Sequence, residues 1–206
     1  MTHYTTPRYL LSLLTMMLVA LTASASGTAA DELETVAHTL RQASGITADF
    51  TLTSGGHSVK GTLQAQGKKF ALLTPATSTW YDGATMTVYS SASREATVWT
   101  PTEAELAESN PLLYISMTKD FNVSYGKVGE NEKELVLTPR RRGGSVKSVR
   151  ITIGTMTGLP KAIAIEAGGG STKISISKLN VGNKFAAGVF TFPKSKYPGV
   201  KITDLR

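Results

Sequence analysis

The sequence predicts an α+β chain, mainly antiparallel β, in which one amino-terminal helix precedes a single large sheet. Three observations carry this. Apolar residues recur at helical spacing near the start, at Leu33, Val36, Ala37 and Leu40. From Phe50 onward the period changes to two, in short runs separated by glycine-bearing turns. A helix-prone stretch between Thr102 and Thr118 then interrupts the alternation, after which strands resume.

The elements follow in order. Arg8, an apolar run from Tyr9 to Leu21 and small residues from Ala23 to Ala30 have the pattern of a secretory leader over residues 1–30, with cleavage expected after Ala29 or Ala30. The run is too short to span a bilayer core of about 30 Å. Removing that leader leaves about 176 residues, which suits one domain, 31–206, with a core of ordinary size. Asp31 is placed to cap a helix over 31–43, Glu34 completes a capping box, and Gly45 ends it. Strands are expected around Phe50–Leu52, Val59–Ala65, Phe70–Leu72, Trp80–Tyr81, Met86–Tyr89 and Glu95–Trp99. Gly55-Gly56, Gly67-Lys68 and Asp82-Gly83 make the turns. Thr102–Glu108 reads as an acidic helix, and Asn110-Pro111 opens a second, apolar one through Leu112, Leu113, Ile115 and Met117. Further strands fall at 121–125, 134–138, 146–153, 161–167, 171–179 and 189–192. Roughly ten strands in successive hairpins make a sheet large enough to curl. An apolar helix lying over the apolar face of such a sheet is a means of holding and hiding something oily.

Composition narrows the function. There is no cysteine, so neither a disulfide nor the cleavage-site cysteine of an anchored bacterial lipoprotein is available. The net charge is +7, one unit of it from Arg8 in the leader. That charge serves solubility or steers the protein toward an anionic membrane or an acidic partner. Nucleic acid is a poor candidate as a partner, because the compartment of an exported chain is wrong for it and no aromatic residues are interleaved with the basic run Arg140-Arg141-Arg142. That run reads as a solvated hairpin tip or as a docking contact with acidic groups or lipid phosphates.

Catalytic sets are missing. The histidines outside the leader are His38, on the amphipathic helix, and His57, in a turn, and neither has a plausible serine or carboxylate partner nearby in sequence. No G-x-S-x-G elbow and no metal-ligand spacing occurs, and Gly168-Gly169-Gly170-Ser171-Thr172-Lys173 opens a strand rather than a phosphate-binding helix. The expectation is a binding protein without a cofactor.

Taken in order, several pieces resemble the LolA family of soluble periplasmic lipoprotein carriers. These are Leu40-Arg41-Gln42-Ala43-Ser44 running into Ala48-Asp49-Phe50-Thr51; Gly61-x-Leu63; and Trp80…Asp82-Gly83-x-Thr85…Tyr89. Ala96-Thr97-Val98-Trp99, Asn110-Pro111-Leu112-Leu113, Leu135-Val136-Leu137-Thr138-Pro139, Phe190-Thr191-Phe192 and Asp204-Leu205-Arg206 follow at suitable spacing. The resemblance implies a strongly curved, unclosed β-barrel of about eleven strands, with a helical lid over an apolar cavity. It further implies a monomer that takes acylated lipoproteins from an inner-membrane lipoprotein-releasing transporter and passes them to an outer-membrane acceptor. The cavity and lid residues expected on this basis are Phe50, Leu63, Phe70, Trp80, Met86, Val88, Leu112, Leu113, Ile115 and Met117. The family's latch arginine and its following proline are replaced by Gly67-Lys68, which makes Lys68 the candidate latch, with fewer directed donors than arginine. Thr87 also departs from the pattern, standing where an aromatic is expected ahead of Tyr89. A sensor of envelope lipids or lipoproteins is the alternative reading.

Overall fold

A computed structural model describes residues 27–206 apart from 111, 117 and 142; the expected leader, up to residue 26, lies outside the described residues. Helix α1 is Ala29–Gln42, and its cap is Thr28 rather than Asp31. The Thr28 hydroxyl accepts from the Asp31 N–H at 3.2 Å, while the Asp31 carboxylate accepts from the Thr28 N–H at 2.9 Å. Both Thr28-x-x-Asp31 and Asp31-x-x-Glu34 fit a capping box; starting at Thr28 is the choice that also buries Ala29. Glu34 instead pairs with Arg41. A leader cut after Ala29 or Ala30 would remove this cap. At the other end the C-cap is Ala43, so Gly45 does not end the helix as expected. Gly45 is needed for close approach: a Cβ there would lie 2.5 Å from the Asn183 carbonyl oxygen.

The chain then runs through a meander: β1 (Ile46–Ser54), β2 (His57–Gln66), β3 (Lys69–Leu73), β4 (Thr77–Tyr81), β5 (Met86–Ser90) and β6 (Glu95–Trp99). Two short helices follow, α2 (Glu103–Ser109) and α3 (Leu113–Ser116), and a 3₁₀ turn at Thr118–Asp120. A second meander comprises β7 (Phe121–Val128), β8 (Glu132–Pro139), β9 (Val146–Gly154), β10 (Pro160–Ala167) and β11 (Gly170–Val181). β11 pairs with β1 and joins the two meanders into one sheet; the last strand, β12 (Lys201–Asp204), adds to β6. The order is β12-β6-β5-β4-β3-β2-β1-β11-β10-β9-β8-β7, a curved, unclosed, twelve-stranded sheet. All pairs are antiparallel except β12 with β6, where Ile202 stands opposite Ala96.

The strand expected over 189–192 is a turn instead. Its aromatic residues suggested a strand, but Gly188 at φ 88° and Pro193 bracket the segment. Its rings pack on the outside of the sheet, and β12 supplies the extra strand.

Alternation sorts the side chains onto two faces. Leu33, Val36, Ala37 and Leu40 of α1 join Ile115, Phe50, Leu63, Phe70, Tyr81, Met86, Leu135, Leu137, Ile151 and Ile163 in one core on the concave side. The convex side carries a separate cluster of Ala71, Trp80 and Phe190, flanked by Tyr89, Phe185, Phe192 and Tyr197. A register shift between Asp49 and Phe50 bends β1 against β11. Opposite it, Gly61 lets the Phe50 ring lie against the neighbouring strand, since a Cβ there would come within 2.5 Å of Phe50 Cζ. At the β7 end, α1 is tied to the sheet by the ion pair of Lys133 with Glu32 (2.8 Å). The Tyr125 hydroxyl stands 3.0 Å from both Glu32 and the Gly27 carbonyl.

Candidate functional site: a trough under a two-helix lid

The connection between the two meanders crosses the concave side. Thr102 caps α2: its hydroxyl accepts from the Glu105 N–H at 3.3 Å, and Glu105 accepts from the Thr102 N–H at 2.7 Å. These bonds from Thr102 hold the Glu105 carboxyl below its ordinary range. The buried indole N–H of Trp99 lies near enough to favour its charged form but outside hydrogen-bond geometry. Buried Asn110 makes the joint between α2 and α3. Its N–H donates to the Leu106 carbonyl at 2.9 Å, its carbonyl accepts from Leu113 at 2.9 Å, and its side-chain oxygen accepts from Leu112 at 3.2 Å. Beyond the joint, Ile115 is fully buried in the main core, and Tyr114 meets Phe121 edge-on at 6.3 Å.

Hollows lie on both sides of this lid. A cavity of about 600 Å³ runs from α2 and Tyr114 to the β8–β9 turn; Leu52, Val146, Ile165 and Ile174 form its apolar floor. It shares Leu52, Glu108 and Ile174 with a small apolar hollow of about 60 Å³, directly against Leu112 and lined also by Phe50, Leu63, Leu72, Ile163 and Ile176. On the other side, a cavity of about 690 Å³ lies between the end of α1, the β2–β3 turn and α2, walled by Phe70, Tyr81, Leu106 and Leu113. Burial raises the Tyr114 hydroxyl above the ordinary phenol range, and Glu108 adds to this.

The residues picked out from sequence are distributed as follows. Phe50 and Leu63 line the small hollow with Leu112, and Phe70 and Leu113 line the larger cavity beyond the lid. Met86 is fully buried, its sulfur accepting from the Ser109 hydroxyl of α2 at 3.7 Å; Val88 packs against the same concave core. Ile115 is core rather than cavity wall. Trp80 is a correction: it points to the convex side and packs against Phe192 (5.3 Å between ring centres), because Tyr81 and not Trp80 has the inward parity on β4. Lys68 is a second. It is exposed at the rim of the larger cavity, and among the described residues it makes no hydrogen bond to either lid helix, so no latch forms between these. Met117 and Arg142 lie outside the described residues. Arg140 and Arg141 border the 600 Å³ cavity.

Sequence reasoning passed over Leu52, Ile163, Ile165, Ile174 and Ile176, the floor between the two meanders. The alternate spacing of the four isoleucines on β10 and β11, and of Leu52 with Phe50 on β1, was the available signal. Among the described residues, no group of three or more His, Asp or Glu side chains is placed to hold a metal ion. No helix among them is long and apolar enough to cross a membrane.

A family profile described as "Outer membrane lipoprotein carrier protein LolA" matches residues 19–169. No curated protein matches the chain. Among solved structures, an uncharacterized conserved protein from Thermus thermophilus is 11% identical, with 84% of this chain and 97% of that one covered and a TM-score of 0.58. A putative outer membrane lipoprotein-sorting protein domain from Vibrio parahaemolyticus is 10% identical over 79% of this chain and 96% of that one, with a TM-score of 0.46. A LolA superfamily protein from Nitrosomonas europaea is 11% identical over 81% and 99%, with a TM-score of 0.42.

Proposed function

The chain belongs to the LolA family of outer membrane lipoprotein carriers, and from that premise we propose that it is a periplasmic carrier for the acyl chains of lipoproteins. In this reading it accepts them from an inner-membrane releasing transporter and hands them to an outer-membrane acceptor, with no covalent step. One observation carries the proposal: an apolar trough, about 600 Å³ and sharing walls with the hollow against Leu112, lies on the concave face under a lid of two short helices. That volume falls in the range of pockets for organic ligands, about 300–1,000 Å³.

The physical need is clear. Each methylene exposed to water costs about 0.8 kcal/mol, so two or three long chains cost some tens of kcal/mol outside a bilayer. A carrier has only to cover part of that surface and release it to a better-matched acceptor. The lid is suited to this. α2 has seven residues and depends on its cap, and Leu112 and Leu113 are half-buried, able to exchange lid–sheet contacts for lid–acyl contacts.

The test is native mass spectrometry of the protein purified from an exporting host, beside Leu112→Asp. Acylated protein or peptide should co-isolate with the wild type and be lost from the variant at unchanged melting temperature. A wild type that is clean and ignores added triacylated peptide would defeat the proposal. Ile115 is unsuitable for this test, since a carboxylate there would be buried in the core.

A further inference from the structure

We propose that the trough also reads the head of its ligand: the cations at its open end bind the anionic headgroup, a phosphate, of an acyl lipid whose chain lies on the apolar floor. This rests on the acyl-binding reading and extends it to a second class of cargo, monomeric anionic phospholipid.

The placement is specific. The 600 Å³ cavity has an apolar floor that includes Leu52, Ile165 and Ile174, and its rim carries Lys119, Arg140 and Arg141. The Arg140 N–H donates to the Asp120 carbonyl at 2.9 Å, and its Nε donates to the Phe121 carbonyl at 3.0 Å, which fixes the residue where β7 begins. The Nη groups of Arg140 make no hydrogen bond among the described residues, nor do the heads of Arg141 and Lys119. None of the three is in an ion pair there, although two carboxylates, Glu108 and Asp120, border the same cavity. Among the described residues, the strand cations Lys133, Arg150, Lys161 and Lys201 are each matched to a glutamate, while Lys60, Lys69, Lys127, Lys147, Lys173 and Lys178 are in no ion pair. What sets the three rim cations apart is their place at the mouth of an apolar channel. Cations left unmatched where an apolar channel opens complement an amphiphile with a negative head. Guanidinium groups suit phosphate oxygens, which accept paired, charge-assisted hydrogen bonds. A neutral head of equal size would leave these donors with water and gain nothing from them.

The test compares lysophosphatidylglycerol with a monoacylglycerol of the same chain length, which has no phosphate, both held at monomeric concentrations, by titration calorimetry. One net charge-assisted contact corresponds to about tenfold in affinity. The anionic lysolipid should therefore bind about tenfold more tightly, and high salt should shrink the difference. Lys119→Gln/Arg141→Gln, which spares the bonds Arg140 makes to Phe121 and Asp120, should erase the preference and leave monoacylglycerol binding unchanged. If that double variant melts low, Arg141→Gln alone serves. Equal wild-type affinity for the phosphate-bearing and phosphate-free amphiphiles would overturn the headgroup assignment while the acyl reading stands; failure of both to bind would remove the acyl reading as well. Inorganic phosphate binding as tightly as the anionic lysolipid, or binding only to phosphatidylglycerol vesicles without uptake of monomer, would also overturn it. The first would assign the cations to a free anion, the second to a membrane surface.

Discussion

Thr102→Ala is the perturbation that isolates the lid. Helix α2 spans seven residues, shorter than the length at which an isolated helix holds in water, so its order depends on its ends. At the amino end the Thr102 hydroxyl and the Glu105 carboxylate satisfy each other's backbone N–H groups. At the carboxyl end the Asn110 N–H closes on Leu106. Removing a threonine cap costs about 1 kcal/mol, which at room temperature shifts a local open–closed equilibrium about fivefold. The loss should be local, because Thr102 is exposed. Hydrogen exchange followed by mass spectrometry should show protection over 103–109 falling about fivefold, with β1 and β9 unchanged. If protection over α2 does not move, the cap does not control the lid. If it falls equally across β1 and β9, the lid is not a separate unit and opens only with the whole fold.

Two further outcomes follow from the same structure. Gly61→Ala puts a methyl 2.5 Å from Phe50 Cζ and 2.6 Å from the Leu73 carbonyl oxygen. Overpacking of this kind costs about 1–3 kcal/mol, so urea unfolding should show a lower midpoint, partly restored by Phe50→Leu. In the chain that retains Thr28, the carboxyls of Asp31 and Glu105 are both held below their ordinary values of 3.8 and 4.5 by bonds from Thr28 and Thr102. Their protons bind more readily in the unfolded chain, so the caps stabilise fully above those values and weaken as pH falls through them. Stability should be level above about pH 5 and decline below about 4.5, and Glu105→Gln should flatten part of the decline. A denaturation series across that range checks both.

The sheet was legible in the sequence because alternation is a strong signal in strands with one buried face, and the turns at Gly55, Gly67 and Gly83 all have positive φ. The lid was legible from Asn110-Pro111 and the apolar residues after it. Three things were not. The helix cap slid by three residues because two overlapping boxes fit the same stretch, and only tertiary burial of Ala29 selects one. The side on which Trp80 lies depends on strand parity, and neighbouring Tyr81 is an equally good inward aromatic. The floor residues of β10 and β11 come from parts of the chain more than 100 residues from β1, so their meeting with Leu52 and Phe50 rests on the β1–β11 pairing, which no local pattern announces. Lys68 illustrates a different gap: its place in a turn was clear, but whether it reaches the lid is a matter of side-chain distance.

A trough filled and emptied as proposed would raise a mechanical problem, because a curved sheet that keeps its curvature by filling the inside has no room to do so. Here the curvature is also braced from outside. The segment after β11 crosses the convex face, and Tyr197 packs against Tyr89 of β5 (4.3 Å between ring centres) and Phe192 (5.1 Å), while Phe192 meets Trp80 of β4 (5.3 Å). Past these rings the chain returns to pair with β6, so the brace is fastened at its end. Support of this kind lets the concave side keep hollows without collapse, since the bend no longer depends on contacts that a ligand would displace. Tyr197→Ala, at a half-buried site on the far side from every cavity under the lid, should therefore do two things at once. It should lower stability by about 2 kcal/mol, a typical cost for truncating a partly buried aromatic. It should also weaken acyl-ligand affinity measured well below the melting temperature, although Tyr197 can touch no ligand in the trough. Full retention of affinity alongside the stability loss would show that the concave side keeps its shape unaided, and the brace would then be packing alone.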